Sequence, residues 1–386
     1  MKNSLGNPAR GEAFYDRTLE IKKIYRVLNA STSIYLSAPR RVGKTSILKY
    51  LEEFPKSNNY FIYVITESVD DSNDFFKVIF EAVINSDAIK KLQQISTSIT
   101  SFIAGLMGKV KTIYKVELRE GEESDYYEIL VELFSHIKAE HGRVIIMIDE
   151  FPQTIQNILD KNGAAAAESF IQKNRELRHD KHTQEKINFI YTGSVSLFPM
   201  IEKVTSLTSI NDIKTVEVNP LTRDEALDFV GRLMEDEECK LSEGLINYVL
   251  DKVQWLIPFH LQLIQQEIID VYESKGGEID ATDIDKAYDQ IVHTRNKPQF
   301  EPYFSRLAKI FKGNEYDFVL DVLMFIALKD EIDNKVLTDK SVKYKVIDLK
   351  NTMNILEGDG YLFKTEEVYR YTSPILQLWC KKHICK

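Results

Sequence analysis

The chain has 386 residues, enough for two or three domains with buried cores and no need of disulfide staples. Its 44% hydrophobic and 28% charged residues are those of a globular protein, which excludes a disordered or fibrous chain. A net charge of −9 excludes a general polyanion binder, so any nucleic-acid contact needs a local basic patch.

Cys239, Cys380 and Cys385 are too few for a disulfide framework, and residues 1–6 hold no apolar leader. Residues 95–107 are too short and too broken by Ser and Thr to span a bilayer. The expectation is a soluble cytoplasmic protein with no membrane partner.

Residues 32–37 form a short β-rich run, 45–54 show helical spacing, and 60–65 (YFIYVI) read as a buried strand. Residues 71–84 and 126–139 read as helices, and 110–118 alternate as a strand would. Residues 144–148 (VIIMI) and 187–191 (INFIY) are unbroken apolar runs, as in parallel strands covered on both faces. Beyond residues 219–222 helical periods dominate: 223–234, 242–253, 258–272 and 282–292, with a break at Asn296-Lys297-Pro298. Helices near 314–328 and 348–358, a hairpin over 361–371 and a helix over 374–382 follow, a pattern that suggests a winged helix. Three domains are expected: α/β over 1–218, an all-α block over 219–296 and a small α+β module over 297–386.

Ser37-Ala38-Pro39-Arg40-Arg41-Val42-Gly43-Lys44-Thr45-Ser46 follows a strand and opens a helix, the context of a phosphate-binding P-loop. Gly43 permits the tight turn that aims successive N–H groups at phosphate oxygens. Lys44 supplies a cation for the β- and γ-phosphates, and the Thr45 hydroxyl a Mg²⁺ ligand. Ala38 stands where the first motif glycine is expected, and keeps its backbone N–H. The competing reading is a basic strand–helix turn without ligand. The strand of residues 144–148 ends in Asp149-Glu150, which sets carboxylates at the C-terminal edge of the sheet. Asp149 suits Mg²⁺, and Glu150 suits a group that orients or deprotonates an attacking water. The alternative there is an acidic surface turn.

These motifs, in order Phe14-Tyr15-Asp16-Arg17, APRRVGKTS, IDEFP, YTGSVSLF, INDI and NPLTRDEA, resemble a bacterial branch of the archaeal-type ATPase family. That family lies in the AAA+/STAND superfamily, and the resemblance runs from about Asn7 to Trp379. It implies a P-loop parallel sheet sandwiched by helices, an all-α lid and a C-terminal winged helix. It further implies a sensor of the γ-phosphate at Thr192, Gly193 and Ser194. Phe14 to Arg17 then lie near the nucleotide base, and Pro258 is the proline of a lid Gly-x-Pro whose glycine is Leu256 here. Arg175 and Arg178 are the candidate arginine fingers, against a solvated helix face.

Weaker signals carry plainer readings. Cys380, His383 and Cys385 read as a helix end rather than a metal site, and Trp255 and Trp379 as core anchors. His260 reads as a packed histidine, with ligand sensing as its alternative. Residues 301–386 hold 14 Lys and Arg against 13 Asp and Glu, which favours a protein-docking module over a DNA reader despite Lys340, Lys343 and Lys345.

The function expected is ATP binding and Mg²⁺-dependent hydrolysis, slow without a partner, that switches the lid and winged helix. Lys44, Glu150, Thr192 and Ser194 are its catalytic residues; ATP and Mg²⁺ are its cofactors; a protein partner or self-association completes it. The alternative is a non-catalytic regulator, loaded with ATP or ADP, whose winged helix binds DNA or protein. Glu150 favours the enzyme; Leu256 and the missing arginine finger favour the regulator.

Overall fold

The computed structural model describes residues 1–56, 58–105 and 124–385. The chain divides into two compact units, one of Asp16–Ser37 with Lys44–Glu217, the other of Met1–Tyr15, Ala38–Gly43 and Val218–Lys386.

The first unit is built on five parallel strands: β1 (Ile34–Ser37), β2 (Asn59–Ile65), β3 (Arg143–Asp149), β4 (Ile187–Thr192) and β5 (Lys214–Glu217). Their order is β2-β3-β4-β1-β5. Parallel neighbours need long crossovers, and helices supply them, which explains why the strands are apolar on both faces. Val144, Ile145, Ile146, Met147 and Ile148 of β3 have no exposed surface at all. Rings fasten helices to one another and to the sheet: Phe75 meets Phe170 of a second helix edge-on at 4.8 Å, and Phe151 meets Tyr191 of β4 at 4.6 Å. Truncating one such ring to alanine costs about 3–5 kcal/mol. With all strands running one way, Ser37, Asp149 and Thr192 finish at the same edge, and β4 separates β1 from β3.

Four strand signals in the sequence thus become strands; β5, with Val216 as its one buried residue, is too short to announce itself. Two expected helices begin at carboxylate caps, since Asp71 accepts from the N–H groups of Asn73 and Asp74, and Asp125 from those of Tyr127 and Glu128. The alternation over residues 110–118 lies outside the described residues.

In the second unit, Thr222 and Glu225 form a capping box that starts the helix Arg223–Met234. Helices Glu243–Val253, Pro258–Lys275 and Ala281–Ile291 follow. Pro258–Lys275 buries ten residues around much of its circumference, as a central helix must. The N-terminal segment packs onto this block, with the Asn3 amide donating to the Gln262 carbonyl at 3.0 Å and Tyr15 Oη to Asp228 at 2.9 Å.

Two further helices carry little sequence signal. Lys297–Ile310 begins where a chain break is expected, because Pro298 sits in the first turn, where a missing N–H costs nothing. Asn334–Tyr344 buries only Leu337 and Ser341, which leaves almost no period to detect. Strands β6 (Ile332–Asp333), β7 (Leu362–Thr365) and β8 (Val368–Tyr371) form an antiparallel sheet in the order β6-β8-β7. Helices Asn314–Lys329, Leu349–Gly358 and Pro374–His383 complete it. Trp379 stacks on Phe300 at 4.6 Å, and His383 bonds the Val292 carbonyl at 2.8 Å. Among the described residues no helix is long and apolar enough to cross a membrane, and no group of three or more His, Cys, Asp and Glu is arranged to hold a metal ion.

Candidate active site

In the α/β unit, β1 runs out at Ser37 and the helix Lys44–Glu53 opens with Lys44, which is 8% exposed. The next side chain, Thr45, donates its hydroxyl to Asp149 Oδ2 at 2.9 Å. Tyr63 of β2 donates to the same oxygen, also at 2.9 Å, and the Glu150 N–H bonds Oδ1 at 3.1 Å. Asp149 is 5% exposed. Burial and the adjacent Glu150 charge push its carboxyl above the ordinary range, while the Thr45 and Tyr63 hydroxyls and the Lys44 charge pull it back only in part. An all-oxygen pair of a hydroxyl and a buried carboxylate, held together beside a lysine, fits a hard divalent cation such as Mg²⁺.

The strand end is braced from behind. The Thr66 N–H and hydroxyl donate to the Asp149 carbonyl at 3.1 and 3.2 Å, and Thr154 donates to the Thr66 carbonyl at 2.8 Å. Glu150 then takes a left-handed backbone, φ 64° and ψ 30°, unusual for a side-chain-bearing residue. That turn aims its carboxylate at Ser194, which donates its N–H at 3.0 Å and its hydroxyl at 2.7 Å. Gly193 makes the approach feasible: a Cβ there would lie 2.7 Å from Pro152 Cδ.

Thr192 is placed differently. Its hydroxyl donates to the Leu36 carbonyl of β1 at 2.9 Å and its surface is wholly buried, so it ties β4 to β1. Arg17 pairs with Glu20 at 3.1 Å in the same unit, whereas Phe14 belongs to the N-terminal segment of the other. Arg178 does not lie on a solvated face, whereas Arg175 is half-buried. Arg178 is 8% exposed and grips Asp212 with two nitrogens, at 2.6 and 3.0 Å, while also donating to the Ser209 carbonyl. Arg175 donates to the Thr208 carbonyl at 2.6 Å. Polar partners at residues 208–212, which no helical period reveals, bond both.

The loop Ala38–Gly43 groups with the helical unit. Arg41 has φ 63° and Gly43 φ 109°, on either side of Val42, an alternation that turns neighbouring N–H groups toward one point. Ala38, Pro39 and Ser46 belong to the same run. Pro258 stands at the first turn of its helix, after an extended Ile257, and the Leu256 carbonyl accepts from the Leu221 N–H at 2.8 Å. His260 is buried, and burial pushes its imidazole down to about 3, so it is neutral. Sequence reasoning missed Tyr63, Thr66 and Thr154, because which strand lies beside β3 is not written in either strand.

A family model described as an ATPase domain predominantly from Archaea matches residues 14–248. No curated protein matches the chain. The Walker-type ATPase paby2304 of Pyrococcus abyssi is similar in structure, with a TM-score of 0.64 at 17% identity over 98% of this chain and 99% of that one. The Aeropyrum pernix ORC2 protein, in its ADPNP–ADP complexes, is similar with a TM-score of 0.51 at 12% identity, over 98% and 94%. At such identities the likeness speaks for the fold, which is that of the AAA+ P-loop ATPases.

Proposed function

Since the chain belongs to the family of ATPase domains predominantly from Archaea, we propose that it binds ATP with Mg²⁺ and hydrolyses it. The observation that carries this reading is the buried Asp149, hydrogen-bonded by Thr45 of the P-loop helix and followed by a Glu150 held apart for a second task. The loop amides and Lys44 bind the phosphates. Thr45 and Asp149 hold Mg²⁺, which when bound neutralises phosphate charge. Glu150 accepts a proton from the water whose oxygen attacks the γ-phosphorus, and the β–γ bridging oxygen leaves with ADP. Ser194 sets the direction of the Glu150 carboxylate.

The helices from Arg223 to Ile291 are read as the lid and the C-terminal sheet with its helices as a winged helix. Their arrangement responds to the γ-phosphate through Pro258 and its neighbours. A protein partner suits the winged helix better than DNA. Lys340 is spent on Asp321 at 2.8 Å, while Val342 and Ile347 are exposed at 72% and 102%.

Thermal unfolding with ATP–Mg²⁺ tests the binding. Nucleotide at a hundred times its dissociation constant adds about 2.7 kcal/mol to the native state, and Lys44→Ala is expected to lose that shift. An unchanged shift in the variant would put the nucleotide elsewhere.

A further inference from the structure

Arg40 and Arg41 lie inside the phosphate-binding loop, yet their side chains are engaged by the helical unit. The Arg41 guanidinium carbon lies 3.9 Å from the centre of the Phe259 ring, and its Nη1 donates to Gln299 Oε1 at 3.2 Å. Arg40 donates to the Pro302 carbonyl at 2.8 Å, with its guanidinium 5.1 Å from the Tyr303 ring centre. Pro39 is received just as closely. A Cβ on Gly360, whose φ is +80°, would lie 2.7 Å from Pro39 Cβ and 3.0 Å from the Trp255 ring.

Three consecutive loop residues are thus held by the lid segment, by the helix Lys297–Ile310 and by the turn before β7. Arg41 at the same time carries a left-handed backbone, which a residue with a Cβ adopts only when its surroundings impose it. That backbone is half of the alternation that lets the loop amides converge on an anion. Ring faces and neutral oxygens hold the two guanidinium groups, so their positive charge is not cancelled there and still favours phosphate.

We propose that Arg40 and Arg41 are positioning residues: anchored on Phe259, Gln299, Pro302 and Tyr303, they keep the phosphate loop in its anion-cradling form. The helices that hold these side chains thereby contribute to nucleotide affinity through the shape of the loop. This rests on the ATP reading above.

The test is calorimetric titration of ATP–Mg²⁺ into the full chain, four variants and a Lys44→Ala control, with turnover measured alongside. Arg41→Ala and Phe259→Leu are each expected to raise the dissociation constant about tenfold. The double variant should be no weaker than Arg41→Ala, because both changes remove one contact. Phe259→Tyr keeps the ring and should bind as wild type, which separates loss of the anchor from loss of folding. Multiplying effects in the double variant overturn the proposal. So does unchanged affinity in Phe259→Leu beside a weakened Arg41→Ala, since Arg41 would then meet the phosphates itself. If the wild-type chain binds no ATP while Lys44→Ala behaves identically, the ATP reading falls and this proposal with it.

Discussion

The Glu150 carboxylate accepts both the backbone N–H and the hydroxyl of Ser194, at 3.0 and 2.7 Å. One serine therefore fixes the direction of the group assigned to activate water, and Gly193 before it leaves the room that Pro152 requires. Sequence order shows only an acid pair and, some forty residues later, a Thr-Gly-Ser; the fold turns them into one device.

Ser194→Ala keeps the N–H bond and removes the hydroxyl. The expected result is a fall of about tenfold in kcat, with the ATP dissociation constant unchanged. Steady-state phosphate release and equilibrium binding separate the two. A loss of affinity without loss of kcat would assign Ser194 to the nucleotide rather than to Glu150.

Asp149 has a raised carboxyl, which burial and Glu150 push up and the Thr45 and Tyr63 hydroxyls restrain. Tyr63→Phe removes one restraint, so the carboxyl titrates higher still and Mg²⁺ must compete with protons to a higher pH. The acid limb of the kcat/KM profile is expected to move upward, so that activity falls more on the acid side of the profile than on its alkaline side. A profile lowered by the same factor at every pH would mean that Tyr63 acts on packing alone.

The ion pair between Arg178 and Asp212 is structural. Burial alone would push the Asp212 carboxyl up, but the hydrogen bonds and charge of Arg178 hold it below its ordinary value. Its contribution is therefore present above about pH 4 and disappears as the pH falls through the lowered folded value. Arg178→Ala leaves the half-buried Asp212 carboxylate with only His179 nearby, at 3.5 Å, and is expected to cost about 1.5–3 kcal/mol, read from urea unfolding at pH 7. A variant as stable as wild type but inactive would restore Arg178 as an arginine finger.

Much of the architecture is legible in residue order. Strand β3 shows itself because a strand buried on both faces needs an unbroken apolar run. Legibility ends where partners are remote in the chain. Tyr63 reads as one more strand aromatic until β2 is known to lie beside β3. Arg178 reads as surface on its own helix, since the carboxylate that buries it is thirty-four residues away. The helix Lys297–Ile310 is hidden by Pro298, which serves equally as a break or as a first turn.

In the proposed mechanism one carboxylate, Asp149, holds the metal and the next, Glu150, performs the chemistry. Glu150→Gln preserves shape and hydrogen-bonding reach while removing the base. Measured on the full chain with saturating ATP–Mg²⁺, phosphate release is expected to fall about a hundredfold or more while ATP affinity stays within about twofold of wild type. Turnover equal to wild type in that variant would contradict the account.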